Sequence, residues 1–305
     1  MNSKFYTKEG LTIKKLINDL IEKNVGDKIK SISDYYQDFG VSRGTVQNSF
    51  SYLKDVGAIE VNPRGRLGTF ISCIDKKKMF EIYGDNKFIG VMPLPYSSIY
   101  EGLATAIFIE SQKKDIDLQM AFMRGAESRI EMLLKGNYDF VIMSKLSGDY
   151  YLEKNKELKS VTSFGPGTYV KKHIIILNKR YNEIEDGMKF GVDNSSRDMV
   201  ILTKHECRNK KVQFINLPYM QLLSKVISGE IDGAVINADN IKAAVDNVTI
   251  KEIDIQFFNE NDTEAVVIAK NDNKIIFELF KNFVDNDSII KIQDDVINGE
   301  MLPIY

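Results

Sequence analysis

The chain has 305 residues, of which 43% are hydrophobic and 28% are charged, and its formal net charge is −2. This composition is that of a soluble globular protein, and the length predicts about two domains. No apolar run reaches the roughly 20 residues that a membrane-spanning helix needs, and the start MNSKFYTKEG lacks the apolar stretch of a signal peptide. We therefore expect a cytoplasmic protein without a membrane partner.

Charge is distributed unevenly along the chain. Residues 1–78 contain 14 Lys and Arg against 9 Asp and Glu, a formal charge of +5. The whole chain has 41 basic and 43 acidic residues, so the remainder has 27 and 34, a formal charge of −7. A basic N-terminal segment is compatible with a polyanionic partner such as DNA, although a charged surface is more often only a solvated one.

The N-terminal residues predict three short helices. One helix face, over roughly residues 7–24, carries apolar side chains at helical spacing, namely Ile13, Leu16, Ile17, Leu20 and Ile21. Ser31 can cap a second helix that ends at Gly40, because glycine suits the left-handed turn after a helix. Ser42 can cap a third helix that ends at Gly57. Three short helices with a tight turn between the last two predict a helix-turn-helix.

A hairpin is predicted directly after the third helix. Residues 59–74, IEVNPRGRLGTFISCI, contain two strand-forming runs around the tip NPRGRLG, and a hairpin at this position is the wing of a winged helix-turn-helix. With GDKI, VSRGTV and GRLGTF in the expected order, the segment resembles the DNA-binding domain of GntR-type bacterial transcription regulators. The resemblance implies binding to double-stranded DNA. Gly44 and Gln47 stand where that family often has Thr and Arg, so the recognised base sequence does not carry over.

The exposed face of the third helix and the tip of the wing carry the predicted DNA contacts. Arg prefers guanine, Gln and Asn prefer adenine, and Ser or Thr contacts phosphate or base. Arginines in the wing reach a phosphate or the minor groove. The predicted DNA-binding residues are Ser42, Arg43, Thr45, Gln47, Asn48, Arg64 and Arg66. One helix-turn-helix contacts few base pairs, so we also expect a homodimer on a palindromic site.

After a charged and mobile connector, residues 76–86, the chain contains one pattern twice. LLKGNYDFVIM at 133–143 and VISGEIDGAVIN at 226–237 each combine helix-forming residues, Gly-x-x-Asp and a β-branched run. Each copy ends a passage in the order strand, helix, strand, helix, strand. This alternation predicts parallel sheets with helices on both faces, and two such lobes enclose a cleft.

Residues 87–270 resemble the type II periplasmic-binding-protein fold, which also serves as the sensor domain of LysR-type regulators. The segment AVVIAKNDNKIIFELFKNFVDN resembles the one that returns to the first lobe. Together with the GntR-like head, the arrangement is similar to that of YhfZ-type regulators. We therefore expect an α/β protein with a winged helix-turn-helix head of the α+β class over 1–75, a linker over 76–86 and a two-lobed α/β effector domain over 87–305.

The loops at the carboxyl ends of the strands should face the cleft. Several of them begin helices, whose free N–H groups favour an anion, and Arg124 and Arg197 add donors. The expected effector is a small anionic metabolite; Glu127 and Asp193 also leave room for an amino group, hence for an amino-acid-like ligand. The predicted effector-binding residues are Ser97, Ser98, Arg124, Gly125, Glu127, Ser144, Lys145, Asn194, Ser195, Ser196, Arg197 and Asn237. Alternatively, Ser and Asn only cap helices and Arg124 only pairs with Glu127.

Other functional classes fit the sequence less well. His173 and His205 are the only histidines, and KHEC at 204–207 lacks the spacing of a standard zinc site. No Gly-x-x-x-x-Gly-Lys motif occurs, and an aminotransferase-like body would need a longer chain. We therefore expect no metal, no cofactor and no enzymatic activity. The alternative is a small-molecule-binding or enzyme domain whose winged helix contacts a protein rather than DNA.

Overall fold

The computed structural model describes residues 7–84, 87–241, 245–253, 261–283 and 285–305. Three sheets organise these residues, a three-stranded sheet in the N-terminal head and a five-stranded sheet in each of two lobes. The helical head and the two α/β lobes confirm the predicted fold class. Within the described ranges, no helix is long and apolar enough to cross a membrane.

The head has the predicted order of three helices and a hairpin. Its elements are α1 (Lys8–Leu20), β1 (Lys28–Ile29), α2 (Ile32–Phe39), α3 (Arg43–Asp55), β2 (Ile59–Pro63) and β3 (Thr69–Ile74). Ser31 and Asp34 form a capping box on α2, and Ser42 accepts the N–H of Thr45 at the start of α3. Gly40 ends α2 with a φ of 66°, the left-handed conformation that favours glycine. Strand β3 lies between β1 and β2 and is antiparallel to both.

The connector predicted to be mobile is a packed helix. Helix α4 (Lys76–Gly84) follows the wing directly, and residues 85 and 86 lie outside the described residues. Met79 and Phe80 are buried in an apolar cluster that extends from the head into the first lobe. The lysines at the start of α4 give the segment its charged character, but its apolar side chains pack inward and order the backbone.

Lobe 1 is a five-stranded sheet covered by helices. Its elements are β4 (Phe88–Met92), α5 (Ser98–Gln112), β5 (Leu118–Phe122), α6 (Ala126–Leu134), β6 (Phe140–Ser144), α7 (Lys145–Lys154), β7 (Leu158–Ser163), β13 (Ala265–Lys270), α10 (Lys274–Phe283) and α11 (Asn286–Ile297). The strand order is β5-β4-β6-β13-β7. Strands β5 and β6 are parallel to β4, whereas β13 returns from lobe 2 and is antiparallel to its neighbours β6 and β7.

Lobe 2 repeats this plan. Its elements are β8 (His173–Asn178), β9 (Lys189–Val192), α8 (Arg197–Glu206), β10 (Gln213–Asn216), α9 (Tyr219–Ser228), β11 (Gly233–Asn237) and β12 (Val248–Glu252). The strand order is β10-β9-β11-β8-β12, with β8 antiparallel to β11 and β12. Each sheet therefore contains one antiparallel strand that arrives from the other lobe. The segment Gly165-Pro166-Gly167 lies between β7 and β8, on the first crossing between the lobes.

The head is held on lobe 1 by side-chain contacts as well as by α4. Asn18 on α1 donates from Nδ2 to the carbonyl of Asp272 at 2.7 Å and accepts the N–H of Ile275 at 3.3 Å. The second bond satisfies an N–H in the first turn of α10, which has no partner within that helix. Lys274 also forms an ion pair of 2.7 Å with Glu22. The head and lobe 1 are thus joined at the loop between β13 and α10 and at the start of α10.

Candidate functional site

A cavity lies between the two lobes, beside the carboxyl ends of the parallel strands. Its volume is about 70 Å³, and both lobes contribute to its lining, which includes Tyr100, Arg124, Arg129, Asp193, Asp198 and Tyr219. A single buried water needs roughly 10–15 Å³ of such space, so the cavity holds about five to seven water-sized groups. In open α/β sheets, ligands bind at this position.

An ion pair joins the lobes at the edge of the cavity. Arg124 follows β5 in lobe 1, and its Nη2 lies 2.9 Å from each carboxylate oxygen of Asp193, which follows β9 in lobe 2. The side chain of Arg124 is 45% exposed, whereas that of Asp193 is 3% exposed. Arg124 therefore pairs with Asp193 and not with Glu127, the partner considered from the sequence.

Asp193 is saturated by donors of the protein itself. Besides Arg124, it accepts the N–H of Ser195 at 2.9 Å, the hydroxyl of Ser195 at 2.7 Å and the N–H of Tyr219 at 2.9 Å. Burial opposes ionisation, but the hydrogen bonds from Arg124, Ser195 and Tyr219 outweigh it and lower the pKa of Asp193. Because a carboxylate has about four acceptor sites, Asp193 has none left for a ligand amino group.

Arg129 places a buried positive charge in the cavity wall. It lies on α6, and only 3% of the residue is exposed. Its Nη1 donates to the carbonyl of Met123 at 2.9 Å, and it shares a hydrogen bond with the hydroxyl of Tyr169. Its Nε has no hydrogen-bond partner, and among the described residues no carboxylate forms an ion pair with it. A buried guanidinium without a counter-ion is expensive, which marks this position as a candidate anion site.

Asp198 places a buried carboxyl group in the wall contributed by lobe 2. It lies in the first turn of α8, is 4% exposed and accepts the hydroxyl of Ser147 from lobe 1 at 2.7 Å. Burial raises the pKa of Asp198, and the hydrogen bonds from Ser144 and Ser147 offset part of that effect. A buried cation and a buried carboxyl group thus face the same cavity from different lobes.

Aromatic side chains complete the walls of the cavity. Tyr96 of lobe 1 stacks on Tyr219 of lobe 2 with ring centroids 5.7 Å apart. Tyr100 and Tyr169 lie with centroids 5.1 Å apart, and burial raises the pKa of both hydroxyl groups. His173 also lines the cavity, and its Nδ1 lies 2.6 Å from Asp262. The site combines apolar surfaces with a few fixed polar groups, as small-molecule sites do.

Five of the predicted effector-binding residues line this cavity, namely Arg124, Gly125, Ser195, Ser196 and Asn237. Arg124 is already neutralised by Asp193, and Ser196 accepts the N–H of Met199 as the N-cap of α8. The side-chain oxygen of Asn237 is buried and has no partner. These residues come from both lobes, so the cavity lies at the strand ends from which the effector site was predicted.

The remaining predicted effector-binding residues lie outside the cavity lining. Ser97 and Ser98 begin α5, Ser144 caps α7, and Lys145 pairs with Asp149 on the same helix at 3.0 Å. A separate surface depression contains the other three, namely Glu127, Asn194 and Arg197. The guanidinium of Arg197 lies 3.9 Å from the ring centroid of Tyr150 there. Helix capping accounts for Ser144 and local pairing for Lys145, whereas Ser97 makes no capping hydrogen bond and its buried hydroxyl has no partner.

Arg129 and Asp198 are absent from the residues predicted by sequence, although both positions carry a signal. Arg129 lies on the α6 face that buries Ala126, Ile130 and Leu133, and Asp198 precedes the buried Met199. A charged residue within an apolar helix stripe is unusual because burial of a charge is costly. The strand-end argument missed both residues because they lie on helices rather than in the loops before them.

The predicted DNA-contact residues of the head are mostly exposed. Arg43, Gln47 and Asn48 are exposed on α3, whose buried face is formed by Val46, Ser49, Phe50 and Leu53. The hydroxyls of Ser42 and Thr45 lie 2.8 Å apart, so these two residues are engaged in capping the helix. In the wing, Arg64 and Arg66 are exposed, and the Arg64 guanidinium lies 4.8 Å from the ring centroid of Phe70.

Both parts of the chain match known protein families. Residues 75–305 match the YhfZ C-terminal domain family, and residues 24–71 match a helix-turn-helix domain family. The YhfZ protein of Escherichia coli strain K12 is 31% identical over 310 residues, an alignment that covers 100% of both chains.

Two solved structures support the fold of the C-terminal part. The crystal structure of YhfZ from Shigella flexneri covers 75% of this chain and 98% of its own, with 29% identity and a TM-score of 0.62. The periplasmic aliphatic sulphonate binding protein SsuA from Escherichia coli covers 70% of this chain and 75% of its own, with 15% identity and a TM-score of 0.52. The latter likeness concerns the fold alone.

The fold and the matched domains define a helix-turn-helix protein with a C-terminal domain of periplasmic-binding-protein architecture. More specifically, the chain belongs to the YhfZ family.

Proposed function

We propose that this chain is a sequence-specific, DNA-binding transcriptional regulator whose cleft binds a small effector with an anionic group. The observation that carries the proposal is the presence of two parts in one chain: a helix-turn-helix with an exposed polar recognition helix, and a two-lobed domain with a cavity between its lobes. A regulator needs both a surface for DNA and a site for a signal.

The head supports DNA binding through chemistry as well as shape. Arg43, Gln47 and Asn48 offer donors and acceptors that match base edges in the major groove, and they project from the first turns of α3. The wing adds two exposed arginines, Arg64 and Arg66, which suit phosphate or the minor groove. The order of helices and wing is that of GntR-type heads, and we assign the head to that subclass. A homodimer follows as part of the proposal, with half-sites about 34 Å apart.

The cavity supports an anionic effector through Arg129. Its guanidinium is buried and has an unpaired Nε, whereas Arg124 is compensated by Asp193 and Arg197 lies outside the cavity. An anion beside Arg129 would remove the cost of an uncompensated buried charge. The cavity lies between lobes, so a bound effector would contact both and alter their relative position.

An electrophoretic shift assay tests the DNA part of the proposal. DNA fragments from the promoters of neighbouring genes are compared with random fragments of equal length, with increasing unlabelled random DNA as competitor. A shift of one promoter fragment that persists under competition is expected. Equal shifts for all fragments would contradict sequence-specific binding, and no shift at low salt would favour a head that contacts a protein partner instead.

A further inference from the structure

The cavity wall contains a buried guanidinium and a buried carboxyl group, neither of which has an ion-pair partner among the described residues. Arg129 belongs to α6 of lobe 1, and Asp198 belongs to α8 of lobe 2. Both are buried, both line the cavity, and neither forms an ion pair with another described residue. Arg124 and Asp193, by contrast, satisfy each other at the cavity edge.

The protein supplies hydrogen-bond acceptors for only part of the Arg129 guanidinium. The carbonyl of Met123 and the hydroxyl of Tyr169 are neutral partners, and Nε is buried without any partner. Neutral acceptors recover only part of the hydration that a charged group loses on burial, and a carboxylate recovers more because its charge opposes that of Arg129. A planar guanidinium also binds a carboxylate through two parallel hydrogen bonds.

Asp198, in contrast, lacks a positively charged partner among the described residues. Its hydrogen-bond partners Ser144 and Ser147 are hydroxyl donors, and burial in this setting raises the pKa of the carboxyl group. The nearby His173 is already paired with Asp262 at 2.6 Å. A ligand cation beside Asp198 would lower the pKa of its carboxyl group and so favour the ionised form, as a nearby cation does for any buried carboxyl group.

We propose that the effector is a small zwitterionic amino acid, whose carboxylate pairs with Arg129 and whose ammonium group faces Asp198. The inference rests on the proposed function in that it takes the cavity as the effector site. A ligand with both charges compensates both walls, whereas a simple dicarboxylate or a phosphate compensates Arg129 and places negative charge beside Asp198.

The size of the cavity limits the ligand. A space for about five to seven water-sized groups admits a small amino acid, with roughly that number of non-hydrogen atoms. The aromatic rings of Tyr100 and Tyr169 and the side chain of Met199 offer an apolar surface for a short side chain. Because its two charged ends contact different lobes, the ligand would hold the lobes together.

Isothermal titration calorimetry of the full chain tests this inference. The panel contains the standard L-amino acids, γ-aminobutyrate and β-alanine, together with two analogues of each hit: the amide, which lacks the carboxylate, and the des-amino acid, which lacks the ammonium group. At least one amino acid should bind, and each analogue should bind at least about tenfold more weakly, which corresponds to about 1.4 kcal/mol. An amide that binds as tightly as its acid, or a des-amino acid that binds as tightly as the amino acid, would overturn the assignment.

Variants locate the site. Arg129→Gln and Asp198→Asn should each weaken binding of the hit at least about tenfold, whereas Arg208→Gln, just beyond the C-terminal end of α8, should leave the affinity unchanged. Unchanged affinity in both cavity variants would overturn the placement. If a variant does not fold, the analogue series on the unaltered chain decides the matter.

The same protein preparation separates this inference from the proposed function. If no amino acid binds while the promoter shift persists, the zwitterion assignment is wrong and the DNA-binding proposal stands. If an amino acid binds but no DNA fragment shifts, the effector assignment stands and the regulator proposal is wrong.

Discussion

Lobe 1 has two interfaces within the chain, and they differ in chemistry. Toward the head, apolar side chains such as Leu20 and Met79 belong to one continuous buried cluster, and both amide atoms of Asn18 are hydrogen-bonded. Toward lobe 2, the interface is polar, encloses a cavity and contains buried atoms without partners, among them Nε of Arg129 and Oδ1 of Asn237. The buried polar atoms at the cleft interface are therefore not all satisfied by partners within the protein.

This difference indicates which parts move together. A shared apolar core resists separation, because exposing it to water costs free energy in proportion to the area exposed. An interface held by an ion pair and a few hydrogen bonds has a smaller cost of opening. We therefore expect the head and lobe 1 to behave as one body and lobe 2 to be the part that an effector repositions.

The largest effect should come from truncating the head interface. Met79→Ala removes a fully buried side chain from the cluster shared by the head and lobe 1 and should lower the free energy of unfolding by about 2–5 kcal/mol. Urea denaturation measures this loss. Met220→Ala, on the exposed side of α9 at 63% exposure, is the matched control and should change stability by less than about 0.5 kcal/mol. Equal effects of the two would contradict a shared core.

A smaller effect is expected in the cores of the lobes themselves. Gly90 in β4 and Gly191 in β9 occupy the first strand of the repeat in each lobe. At Gly90, an added Cβ would lie 2.2 Å from the Phe140 ring. At Gly191, it would lie 2.5 Å from a terminal methyl of Ile231. Alanine at either site should cost about 1–3 kcal/mol through overpacking, with more at Gly90 because a ring yields less than a flexible chain.

Thermal denaturation compares the two glycine variants. Gly44→Ala provides the control, since its added Cβ would meet nothing closer than 3.9 Å and alanine favours the helix over glycine. An unchanged midpoint for Gly90→Ala would show that side chains of the neighbouring strands β5 and β6 pack less closely over Gly90 than described.

Asn18→Ala tests the polar part of the head interface. The variant loses two hydrogen bonds to the loop before α10 and the start of that helix, and the expected loss of stability is about 1 kcal/mol. Amide hydrogen exchange provides a local measurement, because the N–H of Ile275 loses its acceptor and should exchange faster. Protection of Ile275 equal to that of the unaltered chain would show that Asn18 does not cap α10.

The smallest effect concerns the ion pair across the cleft. The folded-state pKa of Asp193 lies below its ordinary value, so this group stabilises the fold above about pH 4, and the contribution is lost as the pH falls through the folded pKa. Arg124→Met removes one of the charges that lower the pKa and should cost less than about 1 kcal/mol at neutral pH, because Arg124 is 45% exposed.

Urea midpoints at about pH 7 and pH 3.5 measure that contribution. The unaltered chain should lose more stability between the two values than Arg124→Met does. Lys135→Met, which removes an exposed pair with Glu131, is the control and should keep the full acid sensitivity. A larger acid sensitivity in Arg124→Met would contradict the assigned direction of the Asp193 pKa.

The sequence predicted those features that depend on neighbouring residues. Ser31, Gly40 and Ser42 mark helix ends through local hydrogen bonds and backbone conformation, and the structure has them at these ends. The repeated strand-helix passages were predicted because their periodicity is local to each element. The packing of Met79 was not predicted, since the charged residues around it dominate the local pattern.

The site was less predictable because its pairings join distant residues. Arg124 and Asp193 are 69 positions apart, and Ser147 and Asp198 are 51 positions apart. The local sequence suggested Glu127 as a partner of Arg124. In the structure the partner is Asp193, because the two lobes lie against each other. Arg129 was missed for a different reason: it lies within α6, on the face that buries Ile130 and Leu133, whereas the prediction considered only the loops at the strand ends.

The central claim is that α3 contacts DNA bases and the wing contacts the DNA backbone. Fluorescence anisotropy with a labelled promoter duplex is the most direct test of this claim. Arg43→Ala should weaken binding to the promoter duplex by about 1–3 kcal/mol and leave binding to random DNA nearly unchanged, because Arg43 is exposed at the start of the recognition helix. Arg66→Ala should weaken binding to both duplexes alike and reduce the salt dependence measured over about 50–200 mM. Equal losses on both duplexes for Arg43→Ala, or affinity that does not change with salt, would contradict the account.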